Sequence, residues 1–186
     1  MSRWALVAGA KGDTRTKRLL EVIARLRARG VTVGGVVQEP IAALDGQGGR
    51  EGYMARSLLD DARIPLARRT RASDGGVSAH LVCSLAFEAD ALAQVRAWID
   101  RDRAARSVVV IDEVSKLEVN RGGHHDAIVY ALCGPALPLL SVRADQLFAV
   151  MERFGLEAPV AAMEGEAESD LARFVEELVV ALERTA

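Results

Sequence analysis

The sequence is poor in aromatic residues and has no excess of basic charge. Aromatic residues make up 4% of the 186 positions, so the core must be built from aliphatic side chains, as in a sheet covered by helices on both faces. The formal net charge is −2, whereas a dedicated nucleic-acid binder carries a basic excess. We therefore expect an α/β protein that does not bind nucleic acid.

Cysteines and long apolar runs are also scarce. Cys83 and Cys133 lie far apart and neither belongs to a C-x-x-C pair, so the sequence offers no disulfide framework and no thiolate metal site. No apolar run reaches the roughly 18 residues that span a bilayer, and the first residues lack the pattern of a signal peptide. These absences predict a cytoplasmic protein without a membrane partner. The length predicts a single domain over residues 1–186.

Short apolar runs alternate with amphipathic helices, which is the pattern of a three-layer α/β domain with a mainly parallel sheet. A strand is predicted at Arg3 to Gly9, and the apolar run Ser107 to Ile111 should be a central strand. Between Glu39 and Ala79 the sequence becomes rich in Gly and Arg, which predicts one or two β-hairpins inserted on the main sheet. Further strands are predicted over 31–38, 138–143 and 158–163, the last at an edge, and helices over 14–30, 87–105, 124–132, 144–155 and 168–184.

The segment SVVVIDEVSKLE gives the strongest chemical signal. Asp112 and Glu113 follow a buried strand, at the end where open α/β sheets bind their ligands. In a nucleotide hydrolase an aspartate at this point holds magnesium, and the neighbouring glutamate orients or deprotonates the attacking water. The pair therefore predicts a metal-holding role for Asp112 and a catalytic role for Glu113.

The residues after the first strand follow the spacing of a phosphate-binding loop, G-x-x-x-x-G-K-[ST]. Along this motif the chain reads Gly9, then Ala10, Lys11, Gly12 and Asp13 at the variable positions, then Thr14, Arg15 and Thr16. Two positions depart from the motif, because threonine replaces the second glycine and arginine replaces the lysine. We predict nucleotide binding by residues 9–17, with Thr16 offering its hydroxyl to magnesium.

The two departures predict a weakened site. Threonine resists a positive φ angle, so Thr14 should give the loop a different shape. Arg15 keeps the positive charge and is expected to neutralise charge during catalysis, but its planar fork is bulkier than the ammonium group of lysine. Lys11 and Lys17 are neighbouring cations that could reach the phosphates. Hydrolysis should therefore be weak, if the site is catalytic at all.

Several segments occur in a family-specific order, with IDEVSKLE as the most specific of them. In chain order they are LVAGAKG, TKRLLE, VGGVVQEP, GREGYMARSLLD, FEADAL, VVVIDEVSKLEVN and PLLSVR. Together they resemble the small P-loop nucleoside-triphosphatases related to the human cancer-related nucleoside-triphosphatase. The resemblance implies a P-loop NTPase-like fold, hydrolysis of ATP, GTP and other nucleoside triphosphates with Mg²⁺, and motif positions of unassigned role at Lys116 and Glu118.

A second resemblance keeps another function open. The segments VTVGGVVQEP and KLEVNRGGHHDAIVYALCGPALPLLSVRADQL are similar to a bacterial domain family of unknown function, often encoded near molybdate-transport or nitrogenase genes. That resemblance implies a non-catalytic regulatory or interaction protein of the P-loop fold, linked to metal-cofactor handling and to a protein partner. A nucleotide-independent small-ligand binder is less favoured, because the first turn lacks G-x-G-x-x-G spacing.

Three other groups of residues are predicted to be structural. His124 and His125 point to different faces of a helix, which favours a capping or pocket-rim role over a metal site. The basic group of Arg68, Arg69 and Arg71 is interpreted as an exposed hairpin edge that resists sheet pairing, with contact to a triphosphate or a partner as the alternative. Tyr53 is interpreted as a packing residue of the hairpin, with stacking on a base as the alternative.

Overall fold

The structure is a computed structural model that describes residues 3–9, 13–42, 50–70, 79–82, 85–165 and 167–184. The strands are β1 Ala5–Gly9, β2 Val33–Ala42, β3 Arg50–Ser57, β4 Arg63–Arg69, β5 Ala79–Val82, β6 Leu85–Glu88, β7 Val108–Val114, β8 Leu137–Arg143 and β9 Ala161–Met163. The helices are α1 Asp13–Ala28, α2 Ala89–Ala105, α3 Lys116–Val119, α4 His125–Leu132, α5 Leu147–Phe154 and α6 Glu168–Glu183, and a 3-10 turn spans Ala144–Gln146.

Within the described residues all the strands belong to one sheet, in the order β5-β6-β4-β3-β2-β7-β8-β1-β9. Five neighbouring strands of this order, β2, β7, β8, β1 and β9, are parallel. Parallel strands must be joined by a crossover, and each crossover here contains a helix or the antiparallel extension. The strands β3 to β6 continue the sheet beyond β2 as antiparallel neighbours. The predicted α/β fold with a parallel sheet and a hairpin region is confirmed.

The two faces of the sheet carry separate apolar cores, because successive side chains of a strand point to opposite faces. On β7, Val109 and Ile111 pack on the face covered by α2, α4 and α5, whereas Val108 and Val110 pack on the face covered by α1 and α6. Fully burying one such aliphatic side chain contributes about 1.5–3 kcal/mol. These two cores give the predicted three layers.

The antiparallel part of the sheet differs from the predicted insertion in its boundaries and in its edge. Its last antiparallel pair joins β5 and β6, so Phe87 and Glu88 belong to β6 rather than to the helix predicted from 87. Arg68 and Arg69 are exposed, but β4 is paired on both sides, with β3 and with β6. The interpretation of these arginines as an edge that resists pairing is therefore wrong, and Arg71 lies outside the described residues.

The described residues contain no helix that is both long and apolar enough to cross a bilayer.

Candidate functional site

The polar residues predicted to act together meet at one edge of the sheet. β1, β2, β7 and β8 are parallel, so their carboxyl ends lie side by side. Gly9 ends β1, Gln38 lies on β2, Asp112 and Glu113 lie on β7, and Ser141 lies on β8. Helix α1 begins at Asp13, so its first turn and its positive dipole end face this same edge.

Asp112 is fully buried and its carboxylate is held from three directions. The hydroxyl of Thr16 donates to Oδ2 at 3.1 Å, and the backbone N–H of Gln38 donates to the same oxygen at 3.1 Å. The backbone N–H of Glu113 donates to Oδ1 at 2.9 Å. These contacts fix the carboxylate against the first turn of α1 and join the end of β7 to the start of that helix.

Arg15 is 3% exposed and turns inward, toward the sheet edge. Its Nε donates to Ser141 Oγ at 2.9 Å, and its Nη2 lies 2.5 Å from Glu113 Oε2. Its Nη1 also donates weakly to the backbone carbonyl of Gly9, at 3.5 Å. The guanidinium at the lysine position of the motif is therefore paired with the predicted catalytic carboxylate.

Glu113 has an unusual backbone, with φ at 60° in the left-handed region that few non-glycine residues adopt. This conformation falls within β7, directly after Asp112, where the register between β7 and β8 shifts between Ile111 and Val114. Burial raises the pKa of the Glu113 carboxyl, the charge of Asp112 raises it further, and Arg15 partly counteracts both effects. A carboxylate whose pKa is raised is a stronger base than an ordinary carboxylate.

The structure brings together five residues of the predicted site. They are Gly9, Arg15, Thr16, Asp112 and Glu113. Thr14 and Lys17 are exposed on α1, and Asp13 is the first residue of that helix. Ala10, Lys11 and Gly12 lie outside the described residues.

The expectation that Thr14 conflicts with a positive φ is wrong. Thr14 lies in the first turn of α1 and is not among the residues with positive φ. Threonine adopts helical angles without strain, so the replacement of glycine at this position does not distort the start of the helix. The loop over residues 10–12 lies outside the described residues, so the expected change in loop shape stays a prediction.

Sequence reasoning missed two buried polar residues at the site, Gln38 and Ser141, and did not foresee the buried contacts of Glu118 and His124. Gln38 and Ser141 stand at buried positions of strands whose other residues are mostly apolar. A polar residue at a buried strand position needs a hydrogen-bond partner, and this requirement is the signal that could have found both. Glu118 belongs to the quoted IDEVSKLE segment, but its partners are set by tertiary structure.

The side chain of His124 does not make the predicted capping contact, whereas His125 lines a surface cavity with Arg121 and Phe154, which agrees with the predicted pocket-rim role. His124 precedes α4, but its side chain makes no capping hydrogen bond and is buried. Nδ1 of His125 lies 2.9 Å from the backbone carbonyl of Glu118, and its ring lies 5.0 Å from that of Phe154. Among the described residues no three metal-ligating side chains of His, Cys, Asp or Glu come together.

Comparison with known proteins gives one family and two similar structures. The model of a family described as NTPase matches residues 5–162. The solution structure of a human cancer-related nucleoside triphosphatase has a TM-score of 0.70 at 18% identity, and the comparison covers 99% of both chains. THEP1 from the hyperthermophile Aquifex aeolicus has a TM-score of 0.65 at 17% identity and covers 97% of this chain and 99% of its own. No curated protein sequence gives a match.

The two structural likenesses support the fold, and the family match extends over most of the chain, from β1 to β9. This agrees with the first of the two resemblances drawn from the sequence. The matched range includes Arg15, Thr16, Asp112 and Glu113. The chain belongs to the NTPase family.

Proposed function

We propose that this protein binds a nucleoside triphosphate, ATP or GTP, together with Mg²⁺ at the carboxyl edge of the parallel strands, and that it hydrolyses the nucleotide slowly. The observation that carries the proposal is the 3.1 Å contact between the Thr16 hydroxyl, at the start of α1, and the buried Asp112 carboxylate at the end of β7. The membership of the chain in the NTPase family supports the same ligand class. The phosphates would lie over residues 9–16, at the amino end of α1.

The residues present fit a magnesium ion. Thr16 uses its single hydroxyl proton on Asp112, which leaves its oxygen lone pairs available to a cation. Hydroxyl and carboxylate oxygens are the ligands that Mg²⁺ prefers, and it is commonly held by one or two such groups together with substrate phosphates. Thr16 and Asp112 would therefore hold the ion, which when bound would neutralise charge on the β- and γ-phosphates.

Slow hydrolysis follows from the pairing of Arg15 with Glu113. Glu113 is the residue expected to position or deprotonate the attacking water, and its carboxylate is 2.5 Å from the Arg15 guanidinium. Arg15 also donates to Ser141, so its charge is directed into the protein. A triphosphate would have to compete with Glu113 for Arg15, and Glu113 would have to release Arg15 before it could act on water.

Isothermal titration calorimetry of the purified protein with ATP and GTP tests the binding. We expect binding in the presence of Mg²⁺ and an affinity at least about tenfold lower with EDTA, which is a difference of about 1.4 kcal/mol. Asp112→Asn should reproduce the effect of EDTA, because it removes the charge that balances the cation. Absence of binding of either nucleotide with Mg²⁺ present would contradict the proposal.

A second function is favoured by the same Arg15 contacts. A guanidinium engaged by Glu113, Ser141 and the Gly9 carbonyl could serve only to hold the fold together, in a non-catalytic regulatory or interaction protein. The second resemblance extends this alternative to metal-cofactor handling. In that case a protein partner in the cytoplasm would bind a surface of the protein. Nucleotide turnover would then be absent.

The double substitution Thr14→Gly and Arg15→Lys separates the two functions. Lysine is a compact point charge that can reach β- and γ-phosphates, so a weakened enzyme should gain about tenfold or more in kcat. Because Thr14 is already helical, Arg15→Lys alone should give most of the gain. Phosphate release measured with ATP and GTP provides the readout.

The matched control is Arg29→Lys near the end of α1, where the arginine is exposed and pairs with Glu176 on the surface. This variant should leave kcat unchanged. If the double variant binds nucleotide and still shows no turnover, the non-catalytic function is supported instead.

A further inference from the structure

A chain of buried polar contacts leads from Asp112 into the protein. It consists of Gln38 on β2, His124 before α4, and Glu118 at α3, and all three side chains are at least nine-tenths buried. Burial of polar groups is unfavourable unless they are hydrogen-bonded, so their partners indicate what they hold in place.

Gln38 holds Asp112 at two points. Its backbone N–H donates to Oδ2 of the carboxylate at 3.1 Å, and its side-chain Nε2 donates to the backbone carbonyl of Asp112 at 3.2 Å. The carbonyl oxygen can only accept a hydrogen bond, so the amide nitrogen of Gln38 must face it. The orientation of the Gln38 amide is thereby fixed, and its second N–H hydrogen is available to another acceptor.

His124 faces that amide group. Its Nε2 lies 3.4 Å from Nε2 of Gln38, and the amide nitrogen can only donate. Nε2 of His124 must therefore be the acceptor, which requires a neutral ring with its proton on Nδ1. Burial lowers the pKa of His124 to about 4, and the charge of Arg96 acts in the same direction, so the ring is neutral at pH 7.

Glu118 places His124. One carboxylate oxygen accepts the backbone N–H of His124 at 3.2 Å, and the other accepts the backbone N–H of Ser115 at 2.9 Å. Between these contacts the chain passes through Gly123 at φ +55°, where a Cβ atom would lie 2.3 Å from Glu118 Oε1. Glu118 thus ties the exit of β7 to the start of α4 and fixes the position of the histidine.

We propose that Gln38, His124 and Glu118 are positioning residues that hold Asp112 in the orientation needed to bind magnesium with the nucleotide. This inference rests on the proposed function and assigns roles to three residues of that same site. Residues that orient a metal-binding carboxylate from behind typically change metal affinity by about 10–100-fold when they are substituted.

The test compares His124→Leu with His124→Gln. Leucine removes the acceptor, whereas glutamine can place its amide oxygen near the position of Nε2. We expect His124→Leu to raise the Mg²⁺ concentration for half-maximal nucleotide binding about tenfold or more, and His124→Gln to stay within about threefold of wild type. The readouts are calorimetric nucleotide binding across Mg²⁺ concentrations and the melting temperature of each variant.

Gln38→Met provides a second route if His124→Leu does not fold. Methionine keeps the volume and the backbone N–H donor but removes both amide donors, so the same rise in the Mg²⁺ requirement is expected. A Mg²⁺ requirement that stays at the wild-type level in a folded His124→Leu or Gln38→Met variant would overturn the inference.

The tautomer of His124 gives a readout without nucleotide or metal. In ¹⁵N NMR spectra of the wild-type protein at pH 7, we expect Nε2 of His124 to carry no proton. A protonated Nε2 would overturn the inference, whatever the nucleotide result. Failure of the wild-type protein to bind any nucleotide with Mg²⁺ would instead contradict the proposed function. In that case an unprotonated Nε2 would still support the contact between His124 and Gln38.

Discussion

Replacing Glu113 with glutamine is expected to lower kcat for hydrolysis of ATP or GTP by about 10²–10⁴-fold, the range that a positioned general base contributes. Glutamine keeps the size of the side chain and one oxygen acceptor but cannot accept a proton from water. Nucleotide binding should be at least as tight as in wild type, because the substitution removes the negative charge of Glu113 that competes with phosphate for Arg15. Phosphate release and calorimetry on the same preparation measure both quantities.

The control for this experiment is Glu152→Gln, an exposed glutamate on α5 that is far along the chain from the site. It should leave kcat and affinity unchanged. A Glu113→Gln variant that binds nucleotide and hydrolyses it within twofold of the wild-type rate would show that Glu113 is not the catalytic carboxylate. Loss of binding together with turnover would instead indicate that Glu113 acts by holding Arg15 in place.

Gly35→Ala is expected to lower the free energy of unfolding by about 4 kcal/mol or more, the range reached when the backbone itself must move. Gly35 lies on β2 with φ at +97°, and a Cβ atom there would lie 2.1 Å from the carbonyl oxygen and 2.5 Å from the nitrogen of Val110 on β7. The clash falls between two central strands. The Gly35 N–H also donates to the buried carboxylate of Asp102 at 2.7 Å, a contact that a shifted strand would lose.

Gly30→Ala is the matched control, because Gly30 also has a positive φ of +79° but no atom lies within 4 Å of its added Cβ. Its cost should be limited to the backbone term of about 1–2 kcal/mol. Chemical denaturation followed by circular dichroism gives both free energies. Equal losses in the two variants would show that the approach of β2 to β7 does not limit stability.

The sequence predicted the positions of the parallel strands and of most helices, because burial on two faces imposes a periodic apolar pattern that is local to each element. It failed where pairing between distant segments decides the structure. Phe87 and Glu88 were predicted to be helical, but they belong to β6, where both pair with β5 and Phe87 also pairs with Ala67 of β4. Helix α3 was not predicted, because four residues are too few to show helical periodicity.

In the candidate site, too, residues of a local motif were predicted and contacts between distant segments were not. Asp112, Glu113 and Thr16 were predicted because each stands at a fixed point of a local motif. The roles assigned to them, the magnesium ion, the single domain over 1–186 and the cytoplasmic location stay predictions. Gln38 and Ser141 were not predicted, and neither was the buried contact of His124, because nothing near these residues in the sequence shows which acceptor or donor they would meet.

By itself, the sequence determined the α/β class, the family resemblance and the strand end that carries Asp112 and Glu113, since apolar periodicity and motif spacing are properties of short segments. Only the tertiary structure decided where the Arg15 guanidinium points. Its partners, Ser141 and Glu113, lie far from it along the chain and reach it because parallel pairing places the ends of β1, β7 and β8 at one edge of the sheet. An arginine at the lysine position keeps its charge in any structure, but the acceptors that pack around it determine whether that charge faces a phosphate or a carboxylate.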